Sequence, residues 1–208
     1  MLISPIGLKV IEVCAALSGI INVWLCMRAN IWNWFYGILM TLLFIILCFS
    51  VKLYADTVFQ IVAMGLQFYG LANWLKKTRQ LGERSITHAY AKELVTAATA
   101  AILLFVVIAF LLQRFSDSTT ILLDACITSG SFVAIWMQAN KWVENWLLWI
   151  LLNIISVWLF YVKGLYLTAG LNILFCIMNI VGYREWINLI SPACRALSPA
   201  PLYRNDAG

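Results

Sequence analysis

Displaced by 112 positions, the chain lies over itself without a gap, residues 8–76 on residues 120–188. Glu12 meets Asp124, Cys14 meets Cys126, Trp24 meets Trp136, and Asn33-Trp34 meets Asn145-Trp146. In the same register Leu53-Tyr54 falls on Leu165-Tyr166, Gly70 on Gly182 and Trp74 on Trp186. A chain that carries one unit twice is restricted to folds in which the two copies pack against each other. Duplicated membrane units of this sort are a common plan of solute transporters, with the substrate held between the copies near the bilayer midplane.

The medium is set by composition. Of the 208 residues 63% are hydrophobic and 11% charged, against about 45–50% and roughly 25% in soluble domains. A bilayer is crossed by about 20 mostly apolar residues, and seven stretches qualify: 8–28, 32–50, 55–75, 95–113, 119–139, 143–162 and 166–188. All seven are predicted as helices, because barrel strands would alternate apolar and polar residues instead of running apolar throughout. Met1 to Gly7 has no basic segment that would mark a signal peptide, so the first stretch is expected to remain as a helix.

An odd number of spans divides the basic residues unequally. One side holds Lys9, Lys52, Arg114 and Lys163; the other holds Arg28, Lys76, Lys77, Arg79, Arg84, Lys92, Lys141, Arg184, Arg195 and Arg204. The positive-inside bias places the richer side, with the C-terminus, in the cytoplasm and the N-terminus outside. Basic loops beside anionic lipid account for the net charge of +5 without a nucleic-acid partner.

Each repeat spans three times, and the stretch 95–113 between them has no counterpart. A three-helix unit ends on the side opposite its start, so one linker helix returns the second copy to the orientation of the first. The predicted fold is an all-α integral membrane protein with two parallel three-helix repeats joined by one helix, three plus one plus three, as in SWEET-type sugar transporters. The expected divisions are 1–76 for the first repeat, 77–118 for a cytoplasmic basic loop and the linker helix, 119–188 for the second repeat and 189–208 for a mobile cytoplasmic tail.

Polar side chains in apolar spans are costly toward lipid and turn inward to a partner, a cavity or a ligand. In the sixth span Trp142, Trp146, Trp149 and Asn153 fall at about 0°, 40°, −20° and 20°, one stripe of indoles and an amide suited to a flat heteroaromatic ring. The first repeat offers Trp34, Gly37 and Thr41 in the same register. In the third span of each copy Gln60 and Gln67 correspond to Asn172 and Asn179, each pair seven residues apart on one helix face. Such amides also serve as hydrogen-bond glue between helices, and Trp residues near helix ends as interfacial anchors. Glu12 and Asp124 lie near the outer ends of their helices, where a carboxylate serves as a cap or gate more readily than as a proton relay.

Other chemistries lack their residues. The six cysteines have neither metal-ligand nor redox spacing, and His88, the lone histidine, has no second ligand to complete a metal site. A phosphate loop, an ATPase motif and a Ser-His-Asp set are missing, and no cofactor is implied. A lipid-active enzyme would need His, Asp or Glu clustered at one depth. A capture subunit that docks a separate ATPase through residues 76–94 stays open.

Several segments together resemble a known family. They are Trp32-Asn33-Trp34 with Gly37, Val51-Lys52-Leu53-Tyr54-Ala55-Asp56, Val143-Glu144-Asn145-Trp146-Leu147-Leu148-Trp149 followed by Asn153, Lys163 to Ala169, and Gly182-Tyr183-Arg184-Glu185-Trp186. Over residues 8–188 the chain resembles the Pnu family of bacterial vitamin transporters. The resemblance implies a SWEET-like homotrimer in the inner membrane that takes up nicotinamide riboside by facilitated diffusion, with a cytoplasmic kinase trapping the product. It assigns Trp146, Trp149 and Asn153 to the ligand; Trp34, Thr41, Gln60, Gln67, Asn172 and Asn179 join them partly through the internal repeat. Thiamine and riboflavin, carried by relatives on the same scaffold, are the alternatives. Aromatic walls suit the pyridinium cation, at about 0.5–2 kcal/mol per cation–π contact.

Overall fold

The computed structural model describes residues 4–81, 86–115 and 120–190. Within them lie seven helices: α1 (Pro5–Met27), α2 (Trp32–Ser50), α3 (Tyr54–Leu81), α4 (Ala91–Phe115), α5 (Ile121–Ala139), α6 (Asn145–Val162) and α7 (Tyr166–Leu189). All seven are long and apolar enough to cross a membrane. The shortest, α6 with 18 residues, rises about 27 Å, close to the hydrocarbon thickness. Large apolar side chains such as Ile102, Leu103, Val106 and Phe110 on α4 stand exposed, an arrangement that only lipid or another apolar surface tolerates. The expected tail and parts of the α3–α4 and α4–α5 connections lie outside the described residues.

The duplication is written into the turns. Left-handed backbone occurs at Ala29, Lys52, Lys141 and Gly164, and these four form two pairs 112 apart. At each, the helix closes with the same two bonds, Asn30 N–H to Leu25 O and Ala29 N–H to Cys26 O in the first copy, Trp142 N–H to Met137 O and Lys141 N–H to Gln138 O in the second. This is the paired pattern of a Schellman stop, which satisfies the last carbonyls of a helix. The recurrence of cap and turn, with α1 and α5, and α2 and α6, ending and α3 and α7 beginning at equivalent residues, agrees with two three-helix units joined by α4. Contacts across the units are reciprocal as well: α1 packs on α7, and α3 on α5.

One end of the bundle is sealed by four tryptophans. The Trp34 and Trp74 rings meet edge to face at 5.5 Å and 83°, Trp146 and Trp186 at 5.4 Å and 90°, and Trp74 and Trp186 at 6.2 Å between the copies. Trp74 Nε1 donates to Gln138 O and Trp186 Nε1 to Cys26 O, both at 2.9 Å. Because Cys26 and Gln138 are themselves equivalent, the two bonds are one contact made twice across the repeat interface. Lys141, 1% exposed, sets its ammonium 4.8 Å from the Trp74 ring centroid.

The segment before α4 closes over the same end. Ile86 is buried within the tryptophan cluster, and Thr87 makes a parallel bridge to Trp142 through Thr87 N–H to Lys141 O and Val143 N–H to Thr87 O, each 3.1 Å. Glu144 accepts from Ala89 N–H at 2.9 Å and lies 2.8 Å from His88 Nδ1. This part of the region expected as a basic loop forms a strap, pinned because its backbone finds partners in the α5–α6 turn.

The indoles pack where the facing helix has no side chain. A Cβ built on Gly70 would collide with the Trp34 ring, and one on Gly182 would lie 2.6 Å from Trp146. Gly70→Ala and Gly182→Ala each force a buried ring to move, and each is expected to lower stability by about 1–3 kcal/mol. A fall in the apparent melting temperature of the detergent-solubilised protein checks this, with Gly65→Ala, whose Cβ would meet nothing, as the unaffected control.

Candidate functional site

Above the tryptophan seal the two repeats part around a cavity of about 430 Å³, within the common range for small-molecule sites. It adjoins a second cavity of about 700 Å³ toward the opposite end, sharing Asp56, Phe59, Ile127, Thr128 and Phe160 with it. The helix starts and ends at this vestibule, α3 and α5 beginning and α6 finishing, lie at the far end from the seal. The structure is thus open at one end and closed at the other.

Eight of the nine residues singled out in the sequence line the inner cavity: Thr41, Gln60, Gln67, Trp146, Trp149, Asn153, Asn172 and Asn179. Trp34 is not among them. It is 0% exposed, held between Gly70 and Trp74, so its part in the site is to build the wall behind it. Trp142 also leaves the expected stripe, because α6 begins only at Asn145. It packs with Ala97, Val133 and Met137, its ring 5.0 Å from that of Trp136.

The lining polar side chains fall into two classes. Thr41 Oγ1 donates to Gly37 O at 2.9 Å, Asn153 Nδ2 to Trp149 O at 2.7 Å, and Asn172 Nδ2 to Thr168 O at 2.8 Å. Each is tied one turn back on its own helix, which fixes its rotamer and leaves the asparagine carbonyl oxygens free to accept. Gln60, Gln67 and Asn179 have no hydrogen-bond partner among the described residues, and the buried Gln67 Oε1 and Trp146 Nε1 are both unsatisfied. Buried polar atoms are nearly always paired in a finished interior. Gln67 and Trp146 line the cavity, where a change of rotamer brings their polar atoms to a ligand's edge, whereas the equally unsatisfied Trp34 Nε1 and Asn145 Oδ1 lie behind it.

The copies diverge by a compensated exchange of size. Gly37 leaves space into which the Asn22 and Gln67 amides reach, each 2.7 Å from where a Cβ on Gly37 would stand. The equivalent positions in the second copy are Trp149, Ala134 and Asn179, a large ring beside shortened neighbours. At this level one copy consequently presents amides and the other an indole, while Asn153, Asn172 and Asn179 give the second copy amides of its own. A further asymmetry sits at the floor, where Gln138 Nε2 donates to Asn33 Oδ1 at 3.2 Å and Asn22 Nδ2 to Asn33 O at 2.6 Å. In the mirror relation Cys26 stands where Gln138 does, and Asn145 Oδ1 is left without a donor.

Sequence reasoning missed Asn22, Gln138 and Ser156, which also line the cavity. Their repeat partners are Ala134, Cys26 and Phe44, so a search for polar residues matched between copies passes over them. The acids separate too. Glu12 is exposed on α1, whereas Asp124 accepts from Thr120 Oγ1 at 2.9 Å and from Lys163 Nζ at 3.3 Å on the vestibule wall.

A family model described as nicotinamide mononucleotide transporter matches residues 9–188, nearly the whole described chain. The chain belongs to that family. It is a multi-pass membrane transporter and not an enzyme. Relatives include the nicotinamide riboside transporter PnuC of Escherichia coli, 27% identical over 215 residues that cover 88% of this chain and 90% of that one. The riboflavin/roseoflavin transporter RibM of Streptomyces davaonensis is 28% identical over 171 residues, covering 81% and 80%. The crystal structure of the vitamin B3 transporter PnuC superposes with a TM-score of 0.70 at 22% identity, over 86% of this chain and 81% of that one. The seven-helix all-α fold is shared with it.

Among the described residues this cavity between the repeats is the candidate site. Gly37→Leu fills the space that Asn22 and Gln67 occupy, and is expected to lower ligand affinity at least tenfold. Calorimetric titration beside a melting curve checks it, affinity falling while the fold holds.

Proposed function

We propose that the chain takes up nicotinamide riboside by facilitated diffusion, binding it in the inner cavity through Trp146, Trp149, Asn153, Thr41, Gln60, Gln67, Asn172 and Asn179. The observation that carries this reading is the set of unpartnered amides, Gln60, Gln67 and Asn179, around a cavity that the indole of Trp149 also lines. An aromatic wall receives a pyridinium face by cation–π attraction. The unsatisfied Gln67 Oε1 accepts from a carboxamide N–H, and the unsatisfied Trp146 Nε1–H donates to a carbonyl or hydroxyl oxygen. The ribose hydroxyls can find acceptors at Asn153 and Asn172, whose amide nitrogens are engaged elsewhere. The names of the relatives point the same way.

Passive transport is supported by the state of Asp124, already paired with Lys163 and Thr120. The split of four basic residues against ten supports a cytoplasmic sealed end, so that the described conformation faces outward in the bacterial inner membrane. A cytoplasmic kinase that phosphorylates the nucleoside would then trap it, since a phosphate has no counterpart in a cavity of amides and indoles. The exposed apolar face of α4 suits the lateral contacts of a homotrimer. Riboflavin is the second reading, favoured by the similarity to RibM; its larger ring system would have to use the same Trp149 wall.

Proteoliposomes holding the purified chain alone are expected to accumulate labelled nicotinamide riboside to equilibrium and no further without an internal kinase. Uptake should be unaffected by an imposed proton or sodium gradient, and Asn153→Ala and Trp149→Ala should each cut it about tenfold or more. Uptake of riboflavin or thiamine in its place would move the assignment to that vitamin, and a requirement for an ATPase would overturn the passive scheme.

A further inference from the structure

Asp56 is the single charged side chain among the described residues that line the inner cavity, and it lines the vestibule as well. It therefore stands where one space passes into the other. Gln67, whose buried oxygen is unsatisfied at the other end of the cavity, lies eleven residues further along α3, about 16 Å at 1.5 Å per residue. The cavity thus has a charged mouth and a neutral, hydrogen-bonding depth.

The vestibule carries three further charges, Lys52, Asp124 and Lys163, and of the four Asp56 alone also lines the inner cavity. Lys163 Nζ is 3.3 Å from Asp124 Oδ1, and Asp124 also accepts from Thr120. Asp56 makes no hydrogen bond or ion pair within 4 Å among the described residues. Its place in the first turn of α3 is one where the helix dipole favours the ionised carboxylate. A carboxylate held at the neck of a low-dielectric passage focuses its field along that passage, raising the local concentration of cations and repelling anions.

We propose that Asp56 is the residue that selects cationic ligands on entry, steering a positively charged N-glycosylpyridinium into the cavity and opposing phosphorylated, anionic nucleotides. The inference rests on the reading of the cavity as a nicotinamide riboside site and adds what that reading leaves unassigned, the origin of charge selectivity. A charge at the rim acts on encounter more than on the final complex. Removing it should accordingly raise KM and leave the maximal rate nearly unchanged.

Initial rates of nicotinamide riboside uptake into proteoliposomes at low and high salt test this. Wild-type KM should rise with salt. Asp56→Asn should raise KM at low salt about tenfold, as expected for unit charges about 10 Å apart at an effective dielectric near 20, keep the maximal rate within about twofold, and lose most of the salt response. Asp56→Glu should restore both. An unchanged KM in Asp56→Asn, or a fall in maximal rate shared by Asp56→Asn and Asp56→Glu with the salt response intact, would overturn the proposal and leave only a helix-start role.

Should Asp56→Asn fail to fold, Asp56→Ser carries the test, a residue suited to a helix start and without charge. It should raise KM at low salt about tenfold and lose most of the salt response; an unchanged KM would contradict the assignment. The two readings fail separately. Uptake of thiamine, also a cation, in place of nicotinamide riboside overturns the vitamin and not the charge selection, which the same variants then measure. Uptake of uncharged riboflavin in its place overturns both.

Discussion

Two indole–carbonyl bonds, Trp74 to Gln138 and Trp186 to Cys26, are the contact on which the rest of the structure depends. They cross between the repeats at one end and leave the other end free to part. Each gives a buried indole N–H its acceptor, using the second lone pair of a helix-end carbonyl that already closes its own turn; an unpaired indole N–H there would be costly in an apolar setting. Both donors belong to one cluster of stacked rings, so the copies are locked where the rings meet and separated above them. A cavity follows from that arrangement, because two three-helix units joined tightly at one end and less tightly elsewhere must diverge.

The cavity is made useful by departures from the symmetry that creates it. Trp34 and Trp146 are equivalent and similarly wedged on Gly70 and Gly182, yet only Trp146 reaches the lumen. One turn further, Gly37 and Trp149 differ by a whole indole, with Asn22 and Gln67 filling the space on the glycine side. The exchange conserves volume while it sorts chemistry at that level, the Trp149 indole on one side and the Asn22 and Gln67 amides on the other. A symmetric cavity would bind a symmetric ligand; an aromatic ring bearing a sugar and a carboxamide is not one.

Much of this was legible in the sequence, for a physical reason. The seven helices follow from hydrophobic length, and α2, α6 and α7 end within two residues of their expected bounds because lipid leaves a spanning backbone no alternative to the helix. The repeat identified the inward faces, and with them eight of the lining residues. What escaped depends on close packing. Trp34 was indistinguishable from Trp146 by register, since nothing in a one-dimensional pattern tells which of two equivalent rings borders empty space. Trp142 was read onto a helix that starts three residues later. Asn22, Gln138 and Ser156 have apolar or sulfur-bearing partners in the other copy, so symmetry concealed them. The strap at Ile86 and Thr87 came from backbone pairing, which leaves no mark on side-chain composition.

The central claim is that the ligand lies between unlike walls, its ring on Trp149 and its amide toward Gln67. A structure of the protein with nicotinamide riboside bound tests it most directly. The account predicts density for the pyridinium against Trp149, with the carboxamide within hydrogen-bond distance of Gln67 or Trp146 and the ribose beside Asn153. Density confined to the vestibule near Lys163 and Asp124, or a ring placed against the Gly37 side with Trp149 uninvolved, would contradict it.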